Sequence, residues 1–593
     1  MMFPSRVIPL RLFLAHRAVS ARAACGAVAL LVLAALAPRP AAAAWPPDPL
    51  TNVPLCVTTA SSQVTTAIPD GQGGAIAVWY EDRAADFDVF VRRVDATGTP
   101  RWTANGTPVV TTAPAGSAQV LPKAVSDGVG GVIVVWLDSR TGVNTLYAQR
   151  VDSTGTRLWS TAGVLVASTT AQASMFDVAA DGSNGVVVAW SAQPGLSSDI
   201  YAQRLNGLGA QQWTAAGRLL CNNLADQFNP RVVRKASGVF VVVWEDMRTG
   251  FRNDVYGQAL NAAGTVQWAA NGLLAAGSAS NAINPFLVAT GANDCLLLWD
   301  ADSLGTGDIR VQRLGATGAP VWGAAGLRMF SVGVSGLLGA TSDGAGGAYA
   351  IVSALDSHTL KSPLWINRIH DLGIMMMGPA GVRVSSIASN QVGAVITTDG
   401  GTGCIVAWFD DQRDLTPNFD LFAQRLAPNG APQWFATGVP VCRAPNQVPG
   451  LAIAPGGIAG GAVLTWSDTR ISPSPDVYAQ GVDANGELGA GVGVGVGPDG
   501  APAATALARP SPNPAPHGAT TIAYTLSARE RVQLNVIDPA GRIVSVLEDG
   551  MREAGVHHVA WDGRASGRTL PPGLYLVQLR TPSRSEIRRL VLL

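Results

Sequence analysis

One motif of about 55 residues recurs eight times along the chain and restricts what the chain can fold into. Each copy holds an Asp-Gly turn, an apolar strand ending in Trp, an Asp/Arg turn, a strand resembling Asp-Val-Tyr-Ala-Gln-Arg, and a Gly turn before a second Trp. The clearest copy starts at Ser126 and reads SDGVGGVIVVWLDSRTGVNTLYAQRVDSTGTRLW. A repeat of this length buries its apolar surface only by stacking on its neighbours, so it predicts an array of like units.

The two tryptophans mark the copies. The first recurs at Trp79, Trp136, Trp190, Trp244, Trp299, Trp408 and Trp466, and the second at Trp102, Trp159, Trp213, Trp268, Trp322 and Trp434. A sixth copy, near Ser342 to Ser385, keeps the Asp-Gly turn but has neither. Each copy reads as four short strands, the second of them apolar on both faces. Four strands in this length predict one propeller blade, and eight copies predict an eight-bladed β-propeller over residues 45–486.

The two ends of the repeat region predict how the ring closes. The last copy stops near Gly486 after its third strand, without a second Trp. The segment Asn52–Cys56 resembles Gly438–Cys442, the fourth strand of the seventh copy. The N-terminal strand is therefore predicted to complete the last blade, which removes the open edges of an unclosed array.

Residues 1–44 have the pattern of a signal peptide. Four arginines and the apolar stretch Ala23–Ala37 precede a run of alanines, with cleavage predicted after Ala44. The stretch is shorter than the roughly 20 apolar residues that span a bilayer, so no transmembrane segment is expected after signal removal. Cys25 lies at the start of the apolar stretch and not after it, which argues against a lipoprotein. The chain is predicted to be secreted, in the extracellular space or on a bacterial cell surface.

Composition excludes some partners. The chain has 41 basic and 41 acidic residues and a formal net charge of zero, with only 14% of positions charged. No basic stripe of the kind that binds nucleic acid is present in the sequence. Five cysteines follow the signal segment, in a spacing that matches no zinc pattern. Export would allow disulfides, but packing as small buried side chains is the favoured interpretation. They are Cys56, Cys221, Cys295, Cys404 and Cys442.

The repeated polar residues are predicted to be structural. A ring of Asp/Arg turns could bind calcium or supply the two carboxylates of glycoside hydrolysis. Because the pair recurs in five copies, an ion pair within each blade is favoured. Its members are Asp82-Arg83, Asp138 with Arg140, Asp246 with Arg248, Asp410 to Arg413, and Asp468 with Arg470. The repeated strand glutamine is expected to bond the backbone of a neighbouring blade. It stands at Gln149, Gln203, Gln258, Gln312, Gln424 and Gln480.

No catalytic, cofactor-binding or metal-binding residue is predicted, and the ligand-binding residues stay unknown. The repeat region has two histidines and forms no Ser-His-Asp, Cys-His or metal-binding pattern. Departures from the repeat are the places to look for a unique site. The sixth copy departs most, at His358, Lys361, Trp365, His370 and Met375 to Met377. The loop Ser191–Ser198 of the third copy and the loop Asp414–Asn418 of the seventh also depart.

A different kind of sequence follows the repeats. Residues 487–509 are rich in Gly, Val, Ala and Pro and read as a linker. Residues 510–593 then show strand alternation, with Pro512-Asn513-Pro514, a turn at Asp538 to Arg542, Trp561-Asp562-Gly563 and Pro572 to Tyr575. This segment resembles the immunoglobulin-like domain of flagellar hook-capping proteins and the sorting domains of type IX secretion substrates. The resemblance implies an antiparallel β-sandwich that export or attachment machinery recognises, without catalysis of its own.

Three functions are compatible with this organisation, because a propeller fold alone implies no activity. The favoured one is a secreted or cell-surface, non-enzymatic protein whose propeller binds a glycan or protein ligand. The second is a secreted polysaccharide hydrolase with a carboxylate site at the propeller channel. The third is a structural component of a surface layer.

Overall fold

The computed structural model contains strands, turns and loops over the whole of its described part. Among those residues no helix is long and apolar enough to span a membrane. The predicted signal peptide, residues 1–44, lies outside the described part. The structure describes residues 45–83, 86–111, 116–168, 171–277, 280–291, 294–303, 306–331, 333–387, 389–411, 419–444, 447–456, 460–471, 473–489, 505–507, 510, 513, 515, 520–526, 528–552, 555–565, 568–582 and 584–593.

Residues 53–482 form eight four-stranded antiparallel sheets, the blades of the predicted propeller. The first strand, β1 (Val53–Cys56), belongs to blade eight. Blades one to four contain β2 (Ser62–Pro69), β3 (Ala75–Glu81), β4 (Asp88–Val94), β5 (Thr107–Pro108), β6 (Gln119–Ser126), β7 (Val132–Asp138), β8 (Thr145–Val151), β9 (Val164–Leu165), β10 (Gln172–Ala180), β11 (Val186–Gln193), β12 (Asp199–Leu205), β13 (Arg218–Cys221), β14 (Gln227–Arg234), β15 (Phe240–Asp246), β16 (Asp254–Leu260) and β17 (Leu273–Ala276). Blades five to eight contain β18 (Asn281–Ala289), β19 (Cys295–Ser303), β20 (Thr306–Leu314), β21 (Leu327–Arg328), β22 (Gly336–Ser342), β23 (Ala348–Ser353), β24 (Leu364–Ile369), β25 (Val382–Arg383), β26 (Gln391–Thr398), β27 (Cys404–Asp410), β28 (Asp420–Leu426), β29 (Val439–Cys442), β30 (Gln447–Pro455), β31 (Ala462–Asp468) and β32 (Asp476–Val482).

The ring is closed. The first strand of every blade packs against the first strand of the next, and β30 of blade eight packs against β2 of blade one. Blade eight takes its fourth strand from the N-terminus, since β1 pairs with β32 in the sheet order β1-β32-β31-β30. This confirms the predicted closure and the eight blades. The eight innermost strands therefore surround the central channel.

The first tryptophan of each blade is a core residue. Its ring is at most 1% exposed at all seven positions, from Trp79 to Trp466. In five blades the indole Nε1 donates to a carboxylate two residues later, for example from Trp136 to Asp138 at 2.8 Å. Burial of so large a ring between sheets explains why the repeat demands it.

The second tryptophan joins neighbouring blades. At five of its six positions the indole Nε1 donates to a backbone carbonyl of the following blade at 3.0–3.2 Å, as from Trp102 to Ser153. The ring lies over a turn glycine of that blade, such as Gly155, whose φ is 88°. A Cβ on that glycine would stand 2.6 Å from the Trp102 ring, so only glycine permits this approach.

Trp45 completes this series in blade eight. The sequence pattern leaves the last blade without a second tryptophan, yet Trp45 is 2% exposed and donates from Nε1 to the Ala96 carbonyl. Its ring lies over Gly98, the turn glycine of blade one. The N-terminal segment thus supplies both the missing strand and the missing tryptophan.

The C-terminal domain is the predicted immunoglobulin-like β-sandwich. Its strands are β33 (Ala506–Leu507), β34 (Thr520–Leu526), β35 (Glu530–Ile537), β36 (Ile543–Arg552), β37 (Gly555–Trp561), β38 (Arg564–Ala565), β39 (Arg568–Thr569), β40 (Gly573–Arg580) and β41 (Ser585–Leu592). They form the sheets β33-β34-β37 and β36-β35-β40-β41 and the hairpin β38-β39. Tyr524, Leu534 and Val577 pack between the two larger sheets.

The C-terminal domain begins earlier in the structure than the predicted boundary at residue 510. Strand β33 lies inside the segment 487–509 predicted as a linker and pairs with β34. Thr505 also donates to the Glu530 carboxylate at 2.7 Å. A two-residue strand carries too little alternation to be recognised in a sequence rich in Ala and Pro.

Candidate functional site

Every innermost strand carries an irregularity in its pairing with the second strand. Such bulges turn side chains away from the ladder and are common beside binding sites. Leu121, Asn229 and Asn284 occupy them with φ of 52–53°. Asn tolerates this conformation, whereas Leu121 is strained and 53% exposed.

Charged residues that depart from the repeat gather on the innermost strands of blades two to four. Lys123 of β6 forms an ion pair with Asp177 of β10 at 3.0 Å. Asp177 also accepts a hydrogen bond from the Val232 amide of β14 at 3.0 Å. Beside it, Arg231 donates to the Pro285 carbonyl of blade five. These groups link four successive blades.

Two further unique acids lie in blades four and five. Glu245 is 4% exposed and accepts hydrogen bonds from the Asn229 amide, the Asn284 backbone and the Asn253 amide at 2.7–3.0 Å. Asp300 accepts from the Leu337 backbone at 2.8 Å and from Asn284 Nδ2 at 3.1 Å. Asn284 therefore joins the two carboxylates across the blade interface.

Glu245 and Asp300 accept hydrogen bonds from groups of the propeller itself and thereby hold neighbouring strands together. Glycoside hydrolysis needs one carboxyl group that carries a proton and one that faces substrate. Both Glu245 oxygens accept hydrogen bonds from amide groups of Asn229, Asn253 and Asn284. Among the described residues no group of three or more His, Cys, Asp or Glu side chains is arranged to hold a metal ion.

The divergent residues of the sixth copy do not meet in one place. His358 is exposed in the loop between β23 and β24, and Lys361 pairs with Asp411 of blade seven at 3.3 Å. Trp365 is half-buried beneath the Arg383 guanidinium. His370 lies in the turn after β24, paired with Asp371.

Met377 takes the place of the second tryptophan in blade six. It is 8% exposed, and its sulfur lies 3.0 Å from where a Cβ on Gly430 would stand. Gly430 is the turn glycine of blade seven, the residue that receives an indole elsewhere in the ring. Met377 is thus explained by packing, because Met fills irregular space.

The Asp/Arg turns form the predicted ion pairs within blades. Arg140 binds Asp138, Arg248 binds Asp246 and Arg470 binds Asp468, with side-chain N–O distances of 2.5–2.6 Å. Blade one differs from the prediction, because Arg83 pairs with Glu81. Asp82 instead accepts a hydrogen bond from the Ser61 amide. Arg413 lies outside the described residues.

The repeated strand glutamine was predicted to bond the backbone of a neighbouring blade, and this prediction was wrong. Gln149 Nε2 donates to the Ser160 carbonyl, and Gln149 Oε1 accepts from the Trp159 amide, both in its own blade. The same pair of bonds recurs at Gln203, Gln258, Gln312 and Gln424. The amide holds the loop that presents the second tryptophan, which the spacing of ten residues could have revealed.

The five cysteines are buried and form no disulfide with one another, as the packing interpretation expects. Cys56, Cys221 and Cys442 occupy equivalent positions and each lies 3.0–3.2 Å from an arginine of the next blade. Burial raises the pKa of the Cys56 and Cys442 thiols to about 12. They are therefore neutral packing groups at physiological pH.

The loop of the third copy makes contacts within the propeller. Ser191 shares a hydrogen bond with Ser174 at 2.8 Å, which fixes the bulge of β10. Ser198 donates its amide to Asp226 of the next blade. The loop Asp414–Asn418 lies outside the described residues.

Comparison with known families places the C-terminal segment. Residues 516–585 match the family described as the FlgD Ig-like domain. This domain is FlgD-like. The match confirms the family that the turn at Asp538 and the motif at Trp561 suggest. No curated protein matches the chain.

Three solved structures match the chain at low identity. Prolyl oligopeptidase B from Galerina marginata is 10% identical, with a TM-score of 0.39 over 71% of this chain and 54% of that one, so the match spans about half of that enzyme. The β-propeller domain of the Trilobed protease from Pyrococcus furiosus is 10% identical, with a TM-score of 0.35 over 62% of this chain and 94% of that one. A protein of unknown function from Dyadobacter fermentans is 9% identical, with a TM-score of 0.34 over 73% and 97%.

Proposed function

We propose that this chain is a secreted or cell-surface, non-enzymatic protein whose propeller is a binding scaffold and whose FlgD-like domain is a sorting or attachment module. The engagement of the unique inner acids carries the first half of the proposal. Asp177 and Glu245 accept hydrogen bonds from groups that connect neighbouring blades. Such bonds hold the ring rigid, and rigid scaffolds present binding surfaces with little loss of entropy.

The match at residues 516–585 supports the second half. An immunoglobulin-like sandwich of this size folds around its own core, here Tyr524, Leu534 and Val577. Export or attachment machinery can therefore recognise this domain independently of the propeller. Type IX secretion is the route that the sequence resemblance favours.

Cell fractionation tests the proposal. The full chain and a chain ending at residue 489 are expressed in a bacterium that has type IX secretion. The full chain is expected at the cell surface, and the shortened chain in the periplasm. Equal surface amounts of both would overturn the attachment role.

A polysaccharide hydrolase is the second candidate, because Glu245 and Asp300 are unique acids joined through Asn284. Incubation of the purified chain with polysaccharides, scored for released reducing ends, separates the candidates. Turnover that disappears in Glu245→Gln would establish the hydrolase. Binding without turnover supports the scaffold.

A further inference from the structure

An open groove of about 440 Å³ lies between the outer edges of blades one and two. Thr103 and Thr107 line it from blade one, and Thr156, Arg157, Trp159 and Thr161 from blade two. The rim threonines are exposed, whereas Arg157 and Trp159 are half-buried. Thr107 lies at the buried end and donates to the Thr103 hydroxyl at 3.3 Å.

Arg157, the charged residue of the groove, differs from the residues at the equivalent position in the other blades. Arg157 forms an isolated bridge with the end of the third strand, and each blade has one residue in this position. Arg157 is the charged member of the set. The others are Pro100, Gln211, Val266, Pro320, Met375, Pro432 and Leu488.

The hydroxyl groups depart from the repeat as well. Thr107 follows the glycine that precedes the fourth strand. The residues in the corresponding place in blades two to seven are Val164, Arg218, Leu273, Leu327, Val382 and Val439. Thr161, two residues after the second tryptophan, stands where most other blades have alanine. The lining of this groove thus includes four threonines and one arginine.

The Arg157 guanidinium is not neutralised. It donates from Nη1 to the Pro108 carbonyl at 2.8 Å, and no carboxylate of the described residues pairs with it. By contrast, the third-strand arginines at the position of Arg150 pair with aspartates, as Arg150 does with Asp127. A half-buried guanidinium with free donors favours a carboxylate ligand, which it can bind through two parallel hydrogen bonds.

The Trp159 ring is fixed in the wall of the groove. Its Nε1 donates to the Gly207 carbonyl at 3.1 Å, and its face lies over Gly209. A fixed aromatic surface beside hydroxyl groups offers apolar contact to a pyranose ring and hydrogen bonds to its hydroxyls. The guanidinium adds recognition of a negative charge.

We propose that this groove is a binding subsite for a carboxylated sugar, such as a uronate residue of an acidic polysaccharide. The inference rests on the proposed binding function of the propeller and names its ligand class. The carboxylate pairs with Arg157, the ring contacts Trp159, and the hydroxyls bond Thr103 and Thr156.

Isothermal titration of the purified full chain tests the subsite. The probes are trigalacturonate and trimannuronate, with neutral maltotriose and inorganic phosphate as comparisons. At least one uronate is expected to bind, and Arg157→Gln is expected to weaken it about tenfold or more, the usual effect of losing a charge-assisted hydrogen bond. Thr156→Ala, which introduces the alanine of blade three (Ala210), is expected to weaken binding less.

The controls separate local from general effects. Gln211 makes backbone bonds in the position of Arg157, so glutamine preserves the fold there. Arg580→Gln changes an exposed arginine of the C-terminal domain and should leave the affinity unchanged. Unaltered uronate binding by Arg157→Gln would overturn the groove but leave the scaffold function standing. Failure of both uronates to bind, or phosphate or maltotriose binding as tightly, would also overturn it.

Discussion

The indole of Trp45 donates a hydrogen bond to the carbonyl oxygen of Ala96 at 3.1 Å, joining the start of the described chain to blade one. Trp45 lies about 400 residues before β30, β31 and β32, the three strands of its blade that come at the end of the repeats. It nevertheless occupies the position of the second tryptophan, with its ring over the turn glycine of the next blade, here Gly98. This contact, together with strand β1, turns an array of repeats into a closed ring.

Replacing Trp45 is expected to weaken the whole ring. Trp45→Ala removes a side chain that is 2% exposed, which should lower the free energy of unfolding by about 3–5 kcal/mol. Urea denaturation followed by tryptophan fluorescence measures the change. Leu196→Ala, at a fully exposed position, is the control and should change it by less than about 0.5 kcal/mol. A loss below about 1 kcal/mol for Trp45→Ala would contradict closure through this residue.

The ion pair in the Asp/Arg turn should matter because it is buried. Arg140→Gln leaves the Asp138 carboxylate, whose side chain is 0% exposed, with its positive partner removed. We expect a loss of about 3 kcal/mol in the free energy of unfolding. Arg542→Gln breaks an exposed pair with Asp538 and should leave the free energy of unfolding nearly unchanged. Equal losses in the two variants would refute this assignment.

Much of the fold could be predicted from the repeat, because Trp79 and its equivalents are needed once per blade. The role of Trp45 could not, since it lies far from the other strands of its blade and next to the predicted signal peptide. The target of Gln149 was also missed. A strand glutamine between sheets has backbone groups of two blades within reach, and only the geometry shows which it bonds.

The cysteines should be unreactive in the folded protein. Burial raises the pKa of Cys221 to about 11 and that of Cys295 to about 12, so both thiols stay protonated at pH 8. Since the thiolate is the reactive form, iodoacetamide at pH 8 should label the native chain slowly and the unfolded chain fully. Mass spectrometry counts the labels. Five labels on the secreted protein fit removal of Cys25, whereas six would show that the signal segment is retained.

Stability should depend on the protonation of Glu487. Burial, with a smaller contribution from the charge of Asp483, raises the pKa of Glu487 to about 7. The folded state therefore holds this proton more tightly than the unfolded state, whose pKa is near 4.5. The stabilisation is present below about pH 4.5 and is lost as the pH rises to about 7. Denaturation across this range should show the fall in the wild type and a smaller fall in Glu487→Gln; parallel curves would contradict it.

The candidate site was harder to predict than the fold. The sixth copy drew attention because it lacks both tryptophans, but Met377 shows that its changes compensate for packing. Arg157 lies in the clearest copy of the repeat. The sequence around it looks ordinary until the residues that bridge to the third strand are aligned across all eight blades. A departure at one structurally equivalent position carries more information than a visibly degenerate repeat.

The closing segment also has a consequence for the order of folding. Gln480 donates to the Pro46 carbonyl, a contact between residues 434 positions apart in the chain. Contacts of such long range form slowly, because the entropy of closing the loop must be overcome first. The segment that emerges first during synthesis thus finds its place last, after blade eight exists. Until then the edge of β32 stays unpaired, so the chain passes through an open form whose exposed strand edge favours aggregation.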